Sequence, residues 1–246
     1  MADINIIDID KLINTLDKTG KVFRVSFTGG EPFLIPNIIE VCIELTRKHY
    51  VSFNTNLVLP VMREFAEVII PDRVLNVHAS LHFEELEKKN LFESYISNFK
   101  LLAGKGFNIY AEAVAWPGSD VIAGNYRKLL AGHGIEFSFA PYIGKLNDSE
   151  FPDSYKAEDF TNYNLNKEQI KWFRQKGEVC NAAFNAGVVF SNGDIYPCFQ
   201  IKEKMGNVYE DINFNSELTI CPAKRCACPL NKYDEYLFSK ASNIKK

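Results

Sequence analysis

Five of the six cysteines fall within 49 residues of one another: Cys180, Cys198, Cys221, Cys226 and Cys228. The first two stand in a C-x12-G-x4-C arrangement around Gly193, and the rest form the run Cys221-Pro-Ala-Lys-Arg-Cys226-Ala-Cys228-Pro. A hairpin between Cys180 and Cys198 puts two thiols at its base, and the later knuckle adds two or three more. Thiolates at such spacing bind zinc or an iron–sulfur cluster. Scattered structural cysteines are the plainer alternative, but the clustering and the adjacent prolines argue against it. Disulfides fit poorly with a chain that shows no export signal at its start.

Three further groups sit where a strand gives way to a loop. Thr28-Gly29-Gly30-Glu31-Pro32 follows the run Val-Phe-Arg-Val-Ser-Phe. Its paired glycines permit unusual dihedrals and close approach of a ligand, and Glu31 offers a carboxylate to a cationic amine. A plain strand-to-helix turn with a solvated glutamate explains the same residues. Asn54-Thr55-Asn56 supplies donors and acceptors suited to a ribose or a carboxylate, or simply an Asx-turn. His78-Ala79-Ser80-Leu81-His82 ends a third strand. Two histidines four apart bind metal on a helix, but His78 lies on a strand, so a satisfied core His78 and a solvated His82 are expected. Three polar loops capping successive strands would share one rim.

These groups need a scaffold, and the sequence outlines it. Val22–Phe27, Val51–Asn54, Val74–Ser80, Phe107–Ala115 and Ile135–Ala140 read as strands. Between them, Asp8–Asp17, Asn37–Lys48, Glu84–Ala103 and Asp120–Ala131 carry apolar residues at helical spacing. Strands alternating with helices predict βα units and a parallel sheet, as a TIM-like barrel or an open doubly wound sheet. Residues 1–145 form this core, 146–178 a polar linker with a short helix at its end, and 179–246 a turn-rich unit. In that unit Asn192-Gly193 marks a hairpin, and a short helix follows Asp234.

Composition sets bounds on partners. Of 246 residues, 46% are hydrophobic and 24% charged, which places the chain among globular proteins. Lys plus Arg number 28 and Asp plus Glu 31, a net charge of −3, so there is no basic footprint for nucleic acid. No stretch is long enough to span a bilayer. Without an export signal, a reducing cytoplasmic setting is expected.

Together the motifs resemble the radical S-adenosylmethionine superfamily with an auxiliary iron–sulfur domain of the SPASM or Twitch kind. Phe27-Thr28-Gly29-Gly30-Glu31-Pro32 matches its GGE motif, which holds the methionine amine of the cofactor. Asn54-Thr55-Asn56 resembles its T-N-G loop, with Leu57 in place of glycine. Ser80 falls where the family often has a serine near the ribose, and Val114-Ala115-Trp116-Pro117 resembles the end of its fifth strand. The Cys180–Gly193–Cys198 signature, followed by Gly206-Asn207-Val208, is similar to the auxiliary domain. The resemblance implies S-adenosylmethionine held by Gly29, Gly30, Glu31, Asn54, Thr55, Asn56 and Ser80. It also implies an auxiliary [4Fe–4S] cluster on Cys180, Cys198 and two of Cys221, Cys226 and Cys228. The implied activity is reductive cleavage of the cofactor to a 5′-deoxyadenosyl radical, which abstracts hydrogen from a small-molecule or peptide substrate. An electron-donor protein would be the partner.

One departure qualifies this. Family members open with a strand and a C-x3-C-x2-C loop that holds the core [4Fe–4S] cluster, whereas here no cysteine precedes Cys42. Cys42 lies on an apolar helix stripe and reads as a small core residue. The expectation is a partial (β/α) barrel lacking its first strand, either a fragment of a longer reading frame, the simpler account, or a core completed by another chain. Such a chain would be inactive alone, with cofactor binding lost or weakened. A zinc-stabilised structural module and a degenerate S-adenosylmethionine-binding subunit are the alternatives.

Overall fold

The computed structural model describes residues 6–165 and 176–224. Cys226, Cys228 and the helix expected after Asp234 lie outside the described residues. The chain forms two units, one reaching to Leu165 and the other starting at Asn166.

The first unit is built on β1 (Arg24–Phe27), β2 (Tyr50–Thr55), β3 (Val74–Leu81), β4 (Ile109–Ala115) and β5 (Phe137–Pro141). They pair in parallel in the order β1-β2-β3-β4-β5. A doubly wound sheet reverses its strand order at a switch point. This one never does, so of the two architectures open to the sequence pattern it is consistent with the partial (β/α) barrel.

One sheet face carries the core. Val51, Phe53, Val77, Ala79, Leu81, Ala111, Ala113 and Ala115 are each at most 4% exposed. Against them pack α2 (Ile38–Thr46), α3 (Met62–Val68) and α5 (Phe92–Gly104), with α1 (Ile9–Lys18) against α2. Phe33, Phe53, Phe65 and Phe107 lock together with ring centroids 4.9–5.3 Å apart. Cys42 is fully buried on α2, and burial pushes its thiol pKa up, as a core residue requires.

The helical reading of Glu84–Ala103 as one element needs correction. It is two helices, α4 (Phe83–Lys88) and α5. Asn90 takes φ +54° between them. The Asn90 N–H donates to Glu87 O (3.1 Å) and the Leu91 N–H to Leu86 O (2.8 Å). This is a Schellman ending, which an asparagine can make in place of glycine. The same device ends α5 at Gly106, with Phe107 N–H donating to Leu102 O. It also ends α6 (Asp120–Ala131) at Gly134, with Ile135 N–H donating to Leu130 O. In both cases the apolar residue after the glycine is buried and turns the chain into the next strand. The sequence pattern did not reveal α3, whose Met62, Phe65 and Ala66 are buried at helical spacing.

Residues 146–165 pack onto the first unit and include α7 (Ala157–Asn162). The buried Tyr155 hydroxyl donates to Ala115 O and accepts from Tyr142 N–H (2.6 Å). Burial pushes its pKa to about 12, so it stays a donor. The Tyr163 hydroxyl donates to Trp116 O (2.6 Å) and accepts from Ser119 N–H (3.0 Å).

In the second unit β6 (Val179–Cys180) pairs antiparallel with β10 (Thr219–Ile220), and β7 (Val188–Val189), β8 (Asp194–Tyr196) and β9 (Gly206–Asn207) form a small sheet. The hairpin expected at Asn192-Gly193 is present. Gly193 N–H donates to Phe190 O (2.8 Å), Phe190 N–H to Asp194 O (2.9 Å), and Gly193 sits at φ +85°. A Cβ there would lie 2.7–2.8 Å from Asn207 and the Tyr209 ring, which explains the glycine between the two cysteines.

Candidate functional site

Parallel sheets normally bury both faces under helices. Here the face opposite the helices is polar. Arg24 and Ser26 on β1, Ser52 and Asn54 on β2, Asn76, His78 and Ser80 on β3, Glu112 on β4 and Ser138 on β5 share it by strand alternation and register. This is the only way the strands can read as alternating although their neighbours run parallel.

At its C-terminal rim, Gly29 and Gly30 take φ +79° and +53°, a conformation that strains any side chain. They deliver Glu31 to the end of β2. Glu31 Oε1 accepts from Thr55 Oγ1 (2.8 Å) and from Phe33 N–H (3.2 Å), and Oε2 accepts from Asn56 N–H (2.8 Å). A carboxylate offers about four lone-pair sites. Three are used by the protein, and one on Oε2 remains for a donor from outside. The Asn56 side chain makes the Asx-turn considered above, accepting from Val58 N–H (3.2 Å). Leu57, where the resembling motif has glycine, adopts φ +62° and is fully buried. Asn98 on α5, which sequence inspection did not single out, fixes this loop by donating to Leu57 O (2.9 Å).

Lower on the face, Ser80 Oγ donates to Asn54 Oδ1 (3.2 Å). So the seven residues expected to hold the cofactor lie on two adjoining loops and on the strand ends beside them. His78 departs from expectation. It is no satisfied core residue: its ring stacks on Tyr110 (centroids 5.0 Å apart) and its Nε2 lies 3.3 Å from Glu112 Oε2 without hydrogen-bond alignment. Burial lowers its pKa against the opposing pull of Glu112, so the ring is neutral near pH 7. His82 is exposed, as expected.

In the second unit, Cys180 pairs with Thr219, and Cys221 N–H donates to Glu178 O. By strand alternation Cys180 and Cys221 therefore lie on one face as diagonal neighbours, a separation of roughly 7–8 Å between such positions. Two thiols accept backbone N–H groups from two residues on: Cys180 Sγ from Ala182 and Cys198 Sγ from Gln200, both at 3.4 Å. Cys42, Cys180, Cys198 and Cys221 form no disulfide. Among the described residues no three His, Cys, Asp or Glu side chains converge as a metal site.

No family model matches the chain. It is 30% identical over 111 residues to 7-carboxy-7-deazaguanine synthase of Methanocaldococcus jannaschii, a match over 44% of this chain and 45% of that protein, so less than half of that relative is spanned. Among solved structures it is similar to native anSMEcpe with bound AdoMet (TM-score 0.57, 19% identity, 84% of this chain and 70% of that one). It is also similar to Streptococcus suis SuiB bound to the precursor peptide SuiA (TM-score 0.53, 19% identity, 96% and 60%). SuiB bound to S-adenosylmethionine matches with TM-score 0.52 over 97% of this chain and 60% of that one. The chain shares the fold of these structures, two of which hold S-adenosylmethionine, as the sequence resemblance to the radical S-adenosylmethionine superfamily implies for its parallel-sheet core.

Proposed function

We propose that the chain is the S-adenosylmethionine-binding part of a radical enzyme that abstracts hydrogen from a substrate held on the polar sheet face. The observation that carries this reading is the single open lone pair of Glu31, aimed by Thr55 and Asn56 at the rim. It suits an ammonium group, while Asn54 and Ser80 offer hydroxyl-binding groups for a ribose beside it. When bound, a core [4Fe–4S] cluster would supply the electron that cleaves the sulfonium. The described residues around Glu31 include no cysteine that could hold it. We propose that its ligands come from an element pairing with the edge of β1 that no described strand covers. In the second unit, Cys180, Cys198 and Cys221, with Cys226 or Cys228, are the proposed ligands of an auxiliary [4Fe–4S] cluster. The N–H groups on Cys180 and Cys198 support this, because each is a hydrogen bond of the kind a cluster sulfur accepts.

The test is anaerobic reconstitution with iron and sulfide followed by calorimetric titration with S-adenosylmethionine. About four irons per chain and a brown colour fit one auxiliary cluster. A colourless protein rich in zinc replaces it with a structural metal site. Binding heat that Glu31→Gln reduces about tenfold in affinity supports the rim assignment. Absence of heat in the parent protein overturns it.

A further inference from the structure

The polar face is not uniform. Its β1–β3 half holds Arg24, serines and asparagines. Its β4–β5 half holds Tyr110, Glu112 and Val114, then Trp116, with Ser138 and Ala140, then Tyr142, on the neighbouring line. Val114 is 49% exposed and Trp116 46% exposed. Trp116 and Tyr142 touch with ring centroids 4.6 Å apart.

This exposed aromatic pair sits on a rigid mount. The carbonyls of Ala115 and Trp116 and the Tyr142 N–H are held by the buried hydroxyls of Tyr155 and Tyr163. Ordered, exposed rings on a fixed backbone provide stacking area with little entropy left to lose on binding. Beneath them lies Glu112. Ser138 Oγ donates to its Oε1 (3.4 Å), and His78 approaches its Oε2 as a neutral ring. Among the residues of the five strands Glu112 is the one carboxylate on this face. The cation Arg24 lies three strands away, about 14 Å at the usual strand spacing, beyond a Debye length.

We propose that Trp116, Tyr142 and Glu112 form a substrate subsite for a planar ring that carries a protonated amine, the ring stacking on the aromatic pair and the amine meeting Glu112. The inference rests on reading this face as the substrate chamber. Ser80 and Glu112 are register partners on adjacent strands, so the subsite adjoins the proposed ribose position. That adjacency is what hydrogen transfer between a bound cofactor and a substrate requires.

The chain contains two tryptophans, so Trp172→Phe in the full-length protein leaves Trp116 as the sole indole reporter. Phenethylamine and phenylpropionate share a ring and differ in charge. Phenethylamine should shift Trp116 emission saturably in about the millimolar range expected of a fragment, and phenylpropionate should bind at least about tenfold more weakly. Glu112→Gln should remove the difference between them. A third probe, the acetylated dipeptide amide Phe-Lys, carries ring and ammonium on neighbouring residues. Tighter binding by it assigns a peptide source, and tighter binding by phenethylamine a free amine. No saturable shift with any probe, or equal response to the amine and the acid, overturns the proposal. The parent comparison of the two charges holds even if the Glu112 variant misfolds. Calorimetry with S-adenosylmethionine on the same protein separates the two claims, since cofactor binding without amine binding sinks only this one.

Discussion

Leu57 shows what a single residue can hide. The departure from a T-N-G loop is visible in the sequence, but not that the chain keeps the left-handed turn with a leucine in it. The position is strained for any side chain, and the burial of this one offsets the strain. Two substitutions separate the terms. Leu57→Ala loses the buried side chain and keeps the strain, costing about 2–5 kcal/mol. Leu57→Gly loses the same burial but releases about 1 kcal/mol of strain. The glycine variant should therefore be the more stable of the two in urea denaturation, the reverse of the order in a helix. His49 and His78 carry a second residue-scale prediction. His49 is 1% exposed, its Nδ1 accepts from Phe23 N–H, and its Nε2 has no partner. Burial is the first cause lowering the pKa of both imidazoles below the ordinary 6.5. The unfolded chain thus takes up protons first as the solution is acidified. The stability these rings contribute is complete above pH 6.5 and drains away below it. Melting temperature should fall between about pH 7.5 and 5.5. His49→Asn, whose amide oxygen can accept from Phe23, should flatten that fall, and an identical slope in the variant refutes the assignment. The burial of His49 was not legible beforehand, because a lone histidine gives no periodic signal, whereas for His78 a core position was expected and its approach to Glu112 was not.

At the scale of elements, the sheet was legible and its punctuation was not. All five parallel strands are present near the positions their β-branched and aromatic runs indicated, because each must bury alternate residues under helices. The break at Asn90 was missed because the apolar stripe continues from Leu86 through Ile96 across it, and periodicity does not see a change of axis. Only the left-handed asparagine marks the spot. Asn90→Ala should cost about 1 kcal/mol, since a Cβ in that conformation has no side-chain amide to compensate. Asn90→Gly should be neutral or stabilising. Equal stability of the two variants in thermal denaturation would mean that the Schellman ending does not set the break. The rim loops were read correctly as a group for a topological reason: loops following successive parallel strands share one edge.

At the scale of the molecule, the two units differ in how they are held. The first rests on strands of six to eight residues at its centre, whereas among the described residues the second has none longer than three. Short strands leave few amides in a cooperative network. Hydrogen exchange on the intact protein should be slowest in Val51–Thr55 and Val77–Leu81, and fast in residues 179–220 until iron and sulfide are added. Protection that does not rise on reconstitution argues against metal ligation there, because binding to the folded form must stabilise it. The cysteine spacing and the Asn192-Gly193 turn made this unit visible in the sequence, while the two-residue strands β6, β9 and β10 left no pattern to read. The two-sided sheet has a last consequence, for how such a chain can vary over time. β1, β2, β3 and β5 present phenylalanine or alanine to one side and serine, asparagine or histidine to the other, and β4 sets alanines against Tyr110, Glu112 and Val114. Loss or gain of one codon inside β2 or β4 would exchange the sides unless a bulge absorbed it, as at the start of β3, wetting the phenylalanine cluster and greasing the polar face. Length drift in descendants of this gene is therefore confined to the turns between strands, or must come in steps of two.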